Sequence, residues 1–546
     1  MKIKCLGAIR TVTGSCYQLE NPQGGYTLID CGIFQGGRQT ELRNFNTALY
    51  KPAETKAIVI THAHMDHSGL VPRLVKAGYS GPIYATEATR DLLPILWQDA
   101  AHIQELEAQW KSRKNSRQGA KAVEPLYREE DAEAAAKLLR PLKLDREEGI
   151  LPGLTVTCLT AGHILGAASL RLAVGEDGGT KTVTFSGDIG RVGQLLIKDP
   201  EIPPPSDVIF METTYGNRLH KDLGNTIDEL VGIINQAYRE GGKIIIPTFA
   251  VERTQELLVL LAQAWHENKI PRDIPIILDS PLAISASEVY LAHPELYDAE
   301  TVELARLGHG PMSVGTLRVT RTGEESQKIN SINGPAIIMA GSGMANAGRV
   351  LHHFKHNLWR PNCHVIFVGF QAQGTTGRRL VEGAKSVKIF REEVLAKAKI
   401  HTLGGFSGHA DQSELLTWLA PQIHPNLLVV LTHGEESGTL AFQAKLAELH
   451  PELNTLVPRW LDVLDVPSQP MALPVALPAA VRPALAETAL TETSLAESWL
   501  PEAESFGRRL GRLRDGLAGR QEPLSPEKLA LLEDLLSRAE EIALSR

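Results

Sequence analysis

The sequence predicts an α/β layered fold, and three observations predict it. Short apolar runs rich in Val, Ile and Leu alternate with longer amphipathic stretches from the start to about residue 460. The length of 546 residues exceeds what one core holds, so two or three domains of roughly 100 to 200 residues are expected. Several of the apolar runs end in Asp, Glu or His, and in layered α/β folds the carboxyl edge of the strands is where sites are assembled on rigid elements beside an open crevice.

In chain order the strands are expected at Tyr26 to Ile29, Ala57 to Ile60, Thr155 to Leu159, Thr182 to Phe185, Val208 to Met211, Lys243 to Ile246, Ala336 to Met339, His364 to Val368 and Leu427 to Leu431. Each is short and largely apolar, which suits a buried strand. Between Leu92 and Leu144 the chain is polar and rich in Ala, Glu, Lys and Gln, and reads as helices covering one side of the core. After Val466 the composition shifts to Pro, Ala, Thr and Ser, the mark of a linker over 467–505. A helical tail is expected over 506–546, where Ser525-Pro526-Glu527 supplies an N-cap with proline in the first turn. Leu529, Leu532, Leu535, Leu536, Ala539 and Ile542 share a face of it, for packing on the body or on another copy in a homodimer.

Composition narrows the function. Hydrophobic residues make up 43% and charged residues 22%, ordinary for a globular chain. A net charge of −8 gives no global field for nucleic acid, so any phosphate-binding surface must be a local basic patch. The five cysteines, at 5, 16, 31, 158 and 363, form no CxxC pair, which argues against a disulfide framework and against a thiolate zinc site. The apolar segment in "MKIKCLGAIRTVTGSC" is too short for a signal peptide, and no stretch of about 18 apolar residues occurs. A cytoplasmic protein without a membrane span is expected.

The run Ala57 to Ile60 leads into "THAHMDHSG", with His62, His64, Asp66 and His67. The run Thr155 to Leu159 leads to His163, Thr182 to Phe185 to Asp188, and Leu427 to Leu431 to His433. Tyr26 to Ile29 runs into Asp30, and Val208 to Met211 into Glu212. Singly, such a residue is usually a turn former or a hydrogen-bonded neighbour. Together they are enough for a paired-metal centre, which needs about seven such groups. His62 and His64, two apart in an extended segment, project to the same side, while Asp66 and His67 open the next helix and aim at a neighbouring point. Imidazole and carboxylate without thiolate suit Zn²⁺ better than Mn²⁺ or Fe²⁺.

The "HAHMDH" loop resembles the HxHxDH loop of the metallo-β-lactamase fold hydrolases, and the chain is similar to their β-CASP nuclease branch over roughly residues 1 to 460. Asp30, "THAHMDH", His163 in "AGHILGAAS" and Asp188 in "FSGDIG" match the four fold motifs. Glu212 in "METTYGNR", His409 in "GFSGHADQ" and His433 in "LTHGE" match the branch's motifs A, B and C. The resemblance implies an αββα sandwich (1–212 and 395–466) with an α/β β-CASP domain inserted over 213–394 and a C-terminal extension.

It also implies two Zn²⁺ per chain, one held by His62, His64 and His163, the other by Asp66, His67 and His433, with Asp188 bridging and Asp30 aiming a ligand histidine. His409 is implied as the general acid, oriented by Glu212, with Asp188 and Asp66 at the reacting centre. The reaction implied is hydrolysis of single-stranded RNA by an activated water, leaving 5′-phosphate and 3′-hydroxyl ends; the site residues do not decide between internal cutting and stepwise degradation from the 5′ end as in ribonuclease J, and the lack of a match after 467 to the extension of those enzymes leans toward internal cutting. A DNA-directed branch tends to carry valine in place of His433. A small-molecule hydrolase of the fold leaves Glu212, His409 and the insertion without a role.

On this reading the small-residue loops Gly341 to Arg349 and Gly369 to Arg379 are candidate phosphate cradles, through Ser342, Gly343, Arg349, Gly374 and Arg378, with Lys328 and Arg253 as lesser candidates. His352, His353 and His356 are read as helix surface or packing.

Overall fold

The computed structural model describes residues 1–117, 121–176, 179–220, 223–310, 312–369, 371–404 and 406–466. The expected linker (467–505) and tail (506–546) lie outside them.

Strands form where the apolar runs stand, with ends shifted by up to three residues: Tyr26–Ile29, Thr55–Val59, Leu154–Thr160, Gly179–Phe185, Val208–Glu212, Lys243–Pro247, Ala336–Ala340, His364–Phe367 and Leu428–Thr432. Two seven-stranded sheets face each other. The first orders Val463–Asp465, Lys2–Cys5, Tyr17–Glu20, Tyr26–Ile29, Thr55–Val59, Ile83–Thr86 and Leu139–Leu142. The second orders Asn454–Leu456, Leu428–Thr432, Val208–Glu212, Gly179–Phe185, Ala168–Glu176, Leu154–Thr160 and Glu147–Leu151.

The alternation of side chains along a strand divides the core. In Val208–Glu212, Val208 and Phe210 join Ile3, Leu19, Val59, Leu172 and Phe185 between the sheets. Ile209 and Met211 turn outward to pack with Leu415, Trp418 and Phe442 of the helices Gln412–Leu419 and Glu436–Leu449. Phe185 and Phe210 stack at 4.8 Å, with Tyr17 about equally close to both. On the far face of the first sheet, Leu28, Ile58 and Ile60 pack with Leu92, Leu96 and Trp97 of the helix Glu87–Ser116, giving helix, sheet, sheet, helix.

The chain leaves the second sheet after Glu212 and builds a third, six-stranded and parallel throughout, ending in Lys399–Thr402. This last strand lies past residue 394, where the insertion was expected to end, because it completes the sheet's edge beside His364–Phe367. The chain then returns as Leu428–Thr432, parallel to Val208–Glu212, with Glu212 opposite Thr432. That register sets Glu212 beside His433. All five cysteines are buried and unpaired. Among the described residues, no helix is long and apolar enough to cross a membrane.

Candidate metal centre

The loops that follow these strands converge at one sheet edge. His62 follows Thr55–Val59, and His64 caps the short helix Met65–Ser68 that carries Asp66 and His67. Close packing fixes these loops: a Cβ on Gly32 would meet the Asp66 carbonyl oxygen at 1.6 Å, and one on Gly190 would meet that of Gly162 at 1.6 Å. Asp30 and His433 hold left-handed backbones, φ 59° and 45°, a conformation uncommon for residues other than glycine and often found at sites.

Two donor sets match the expected ligands, and a third grouping joins Asp188 and His433 to Glu212. In the first, His64 Nδ1 lies 3.2 Å from His62 Nε2 and 3.1 Å from His163 Nε2, while Asp188 Oδ2 lies 3.6 and 3.5 Å from those two Nε2 atoms. In the second, His67 Nε2 is 3.0 Å from His433 Nε2 and 3.2 Å from Asp188 Oδ1, and Asp66 Oδ2 is 3.7 Å from His433 Nε2. Donors about 2.0 to 2.2 Å from a tetrahedral ion stand roughly 3.3 to 3.6 Å apart, and the separations of 3.0 to 3.7 Å in the two sets lie within a few tenths of an ångström of that range. Asp188 Oδ1 is buried and faces imidazole nitrogens, His67 Nε2 at 3.2 Å and His433 Nδ1 at 3.3 Å, a carboxylate edge suited to a cation.

The remaining atoms of the donors are held by the protein. Asp30 Oδ2 lies 2.7 Å from His67 Nδ1, and its Oδ1 accepts from the Thr61 backbone N–H at 2.8 Å. His163 Nδ1 lies 2.6 Å from the Gly408 carbonyl, and Thr214 Oγ1 lies 3.3 Å from His433 Nδ1. Such partners set the tautomer and aim of each ring. Burial holds His62 and His163 well below the ordinary histidine range, with neighbouring imidazoles adding to it, so their lone pairs are free for a metal. Burial works against charge on His67 as well, but Asp188 and Asp30 outweigh it and hold that ring well above its range.

Glu212 and His409 stand beside the donors. Glu212 Oε1 accepts from the Ile189 N–H at 2.5 Å and lies 3.3 Å from His409 Nδ1. The His409 ring is 4.5 Å from that of His163 and is edged by Tyr215. The backbone of the His409 loop is held by His220, whose Nε2 lies 2.8 Å from the His409 carbonyl. Thr61, Thr214, Gly408 and His220 were not picked out from the sequence. Thr61 and Thr214 do flank the motifs directly, the one signal that could have found them.

The loop arginines are placed differently from their sequence pattern. The Arg349 guanidinium donates to Asp279 Oδ1 at 2.7 Å and to the Thr320 and Arg321 carbonyls at 3.1 and 2.8 Å. Arg378 Nε donates to Glu382 at 2.6 Å. Arg349 is thus engaged by protein groups, while Arg378 sits in an exposed pair one helical turn from Glu382. His353 is buried with Nε2 2.7 Å from Asp279 Oδ2, while His352 and His356 are exposed. Lys328 is exposed at a helix end. Ser342 Oγ turns back to the Ala347 carbonyl at 3.2 Å, Gly343 lies under the Phe249 ring, and Gly374 is exposed with φ 79°.

Arg253 is buried, pairs with Glu256 and lies 5.6 Å from the Phe406 ring centre. Its neighbour Glu252 ties the inserted unit to the His163 loop: Oε2 accepts from Tyr290 Oη at 2.5 Å and the Leu165 N–H at 3.2 Å, and Oε1 from Gln194 at 3.1 Å. Burial lifts the Glu252 carboxyl from 4.5 to about 8, Glu256 adding to it, against the pull of the Tyr290 bond. Between those two pH values the unfolded chain has released this proton and the folded chain still holds it. Its stabilising effect is therefore full below about pH 4.5 and is lost as pH rises to about 8, on the order of a few kcal/mol. Glu252→Gln is expected to flatten this part of the pH dependence. Urea unfolding of both proteins from pH 5 to 9 measures it as a wild-type-minus-variant difference that grows with pH in the variant's favour.

Fold and site together define a metal-dependent hydrolase built on a four-layer sandwich. Profiles described as the metallo-beta-lactamase superfamily, the Beta-Casp domain and a Zn-dependent metallo-hydrolase RNA specificity domain match residues 9–232, 254–380 and 393–458. Ribonuclease TTHA0252 of Thermus thermophilus is 41% identical over 450 residues, covering 82% of this chain and 96% of that protein. Transcription termination factor FttA of Pyrococcus abyssi is 31% identical over 483 residues, covering 85% and 71%, and that of Methanosarcina mazei 31% over 456 residues, covering 80% and 67%. The chain belongs to the β-CASP branch of the metallo-β-lactamase superfamily.

Proposed function

We propose that the chain is a zinc-dependent ribonuclease that cuts single-stranded RNA internally and leaves 5′-phosphate and 3′-hydroxyl ends. The observation that carries the reading is the pair of neighbouring donor sets with Asp188 between them, Oδ2 toward His62 and His163 and Oδ1 toward His67, and the His409–Glu212 pair beside them. In this reading His62, His64 and His163 hold one ion, Asp66, His67 and His433 the other, and Asp188 both. Bound there, zinc supplies Lewis acidity toward the scissile phosphate and brings the pKa of a water near neutrality.

The departing 3′ oxygen needs a proton, and His409 gives it from Nε2. Glu212, on Nδ1, orients the ring and favours its charged form. Asp30 keeps His67 aimed through its Nδ1. Nitrogen and carboxylate donors without thiolate support zinc. RNA as substrate is supported by the matched RNA specificity profile and by a relative named as a ribonuclease. A cytoplasmic setting belongs to the same reading, and five buried unpaired thiols fit a reducing compartment.

Zinc analysis and cleavage of an internally labelled RNA with a blocked 5′ end test the proposal. Two zinc per chain and undiminished cutting of the blocked RNA are expected. Cleavage abolished by the block would replace internal cutting with stepwise degradation, and a zinc-loaded chain that cuts no RNA would remove the reading.

A further inference from the structure

With a net charge of −8, affinity for nucleic acid must come from local surface, and one such surface lies outside the donor cluster. The 30-residue helix Glu87–Ser116 buries Leu92, Leu93, Leu96, Trp97, Ala101 and Ala108, yet its outer side carries Ile103, Leu106 and Trp110 about half exposed, Trp110 at 54%. The chain here is basic, with Lys111, Arg113, Lys114, Arg117 and Lys121. Lys111 pairs with Glu107. The nearest other acids are engaged elsewhere: Glu105 accepts from the Glu129 N–H, and Glu124 pairs with Arg128. Two cations flank the exposed indole, Lys114 Nζ and Arg391 Cζ, each 5.9 Å from the ring centre.

Arg391 comes from the inserted unit, at the tip of the hairpin joining Ser386–Ile389 to Glu392–Leu395. The two tip residues, Phe390 and Arg391, have φ 47° and 71°. Two-residue turns of this kind favour Asn-Gly, and a bulky aromatic in the left-handed region is strained. Strain kept where a cheaper turn exists points to what the turn presents. It presents Phe390, 48% exposed with its ring 4.5 Å from that of His352, and a cation that reaches Trp110. The acids beside it are again engaged, Glu392 with Lys355 and Glu393 with Ser386.

We propose that Trp110, Lys114, Phe390 and Arg391 form a contact surface for single-stranded RNA outside the catalytic centre, spanning the first sheet's covering helix and the inserted unit. Exposed rings accept base stacking without regard to sequence, and the flanking cations meet the phosphates, the pairing found where proteins track single strands. The proposal rests on the ribonuclease reading and extends it: the surface holds RNA flanking the scissile bond.

The test compares the full-length chain with Trp110→Ala and with the double change Phe390→Asn, Arg391→Gly. RNA affinity and cleavage are measured on a long single strand and on the shortest strand that is cut. Each variant is expected to raise KM and Kd for the long strand about tenfold, the scale of one lost base stack, with kcat unchanged and the shortest strand handled as in wild type. Trp110→Phe is expected to restore most of the loss. The double change relieves the turn, so its unfolding midpoint is expected to rise while long-strand affinity falls, a combination that misfolding does not produce. Unchanged long-strand affinity in both variants overturns the proposal. If Trp110→Ala instead dissociates an oligomer with RNA affinity intact, the surface belongs between copies of the chain and the proposal is likewise overturned. Wild type that neither binds nor cuts RNA fails at the ribonuclease reading itself, which separates the two failures.

Discussion

Replacing His409 with alanine is expected to lower kcat by about 10²- to 10⁴-fold, the usual contribution of a positioned acid, while zinc content and RNA affinity stay near wild type. His409 is not among the grouped donors: its Nδ1 stands 4.0 Å from Asp188 Oδ2 but 3.3 Å from Glu212 Oε1. Burial alone would discharge the ring, yet the Glu212 carboxylate, followed by Asp188 and Asp66, outweighs burial and holds its pKa at about 9. An acid must be protonated to act, so the His409-dependent part of the rate is present below that value and is lost as pH rises through it. Cations on Asp188 and Asp66 offset two of the three supporting charges, which moves the falling limb to lower pH and leaves Glu212 as the main support. Glu212→Gln is therefore expected to shift the limb down further with metal retained. A kcat against pH profile for wild type and both variants, with zinc measured on the same samples, decides the matter. Zinc lost from His409→Ala would make His409 a ligand and end its assignment as the acid.

The donors were legible because each is a chemically distinctive side chain placed after an apolar run, and burial on both faces makes those runs conspicuous. Asp188 and His433 could be assigned to the site from sequence for that reason. The groups that aim the donors were not legible, since the Gly408 carbonyl on His163 and the Thr61 N–H on Asp30 are backbone atoms with no signature of their own. Lys2–Cys5 and Leu139–Leu142 carry lysine, or arginine and proline, within their four residues and so form no apolar run, and the second sits in a stretch whose composition favours helix. Arg349 follows a small-residue loop as a phosphate ligand would. Only the fold reveals that Asp279, at the end of a strand far back in the chain, takes its guanidinium. Glu252 and Phe390 hold left-handed backbones that their residue types disfavour, so local propensity pointed away from both turns.

Asp188→Asn is expected to have the larger effect, lowering activity by roughly 10³-fold or more, because it removes the one carboxylate facing both donor sets. Oδ2 stands 3.6 and 3.5 Å from Nε2 of His62 and His163, and Oδ1 stands 3.2 Å from His67 Nε2 and 3.3 Å from His433 Nδ1. An amide offers a single acceptor and no charge, and its N–H₂ would face two imidazole nitrogens. Zinc content is expected to fall below two per chain. Asp30→Asn, which touches His67 alone among the donors, is expected to weaken metal binding by only about 10- to 100-fold. Stability reports the same linkage, since a ligand that binds only the folded chain raises Tm with its concentration. Chelator is therefore expected to lower the Tm of the wild type by more than that of Asp188→Asn. Full zinc content in Asp188→Asn, together with an unchanged response to chelator, would mean that the two sets do not share this residue.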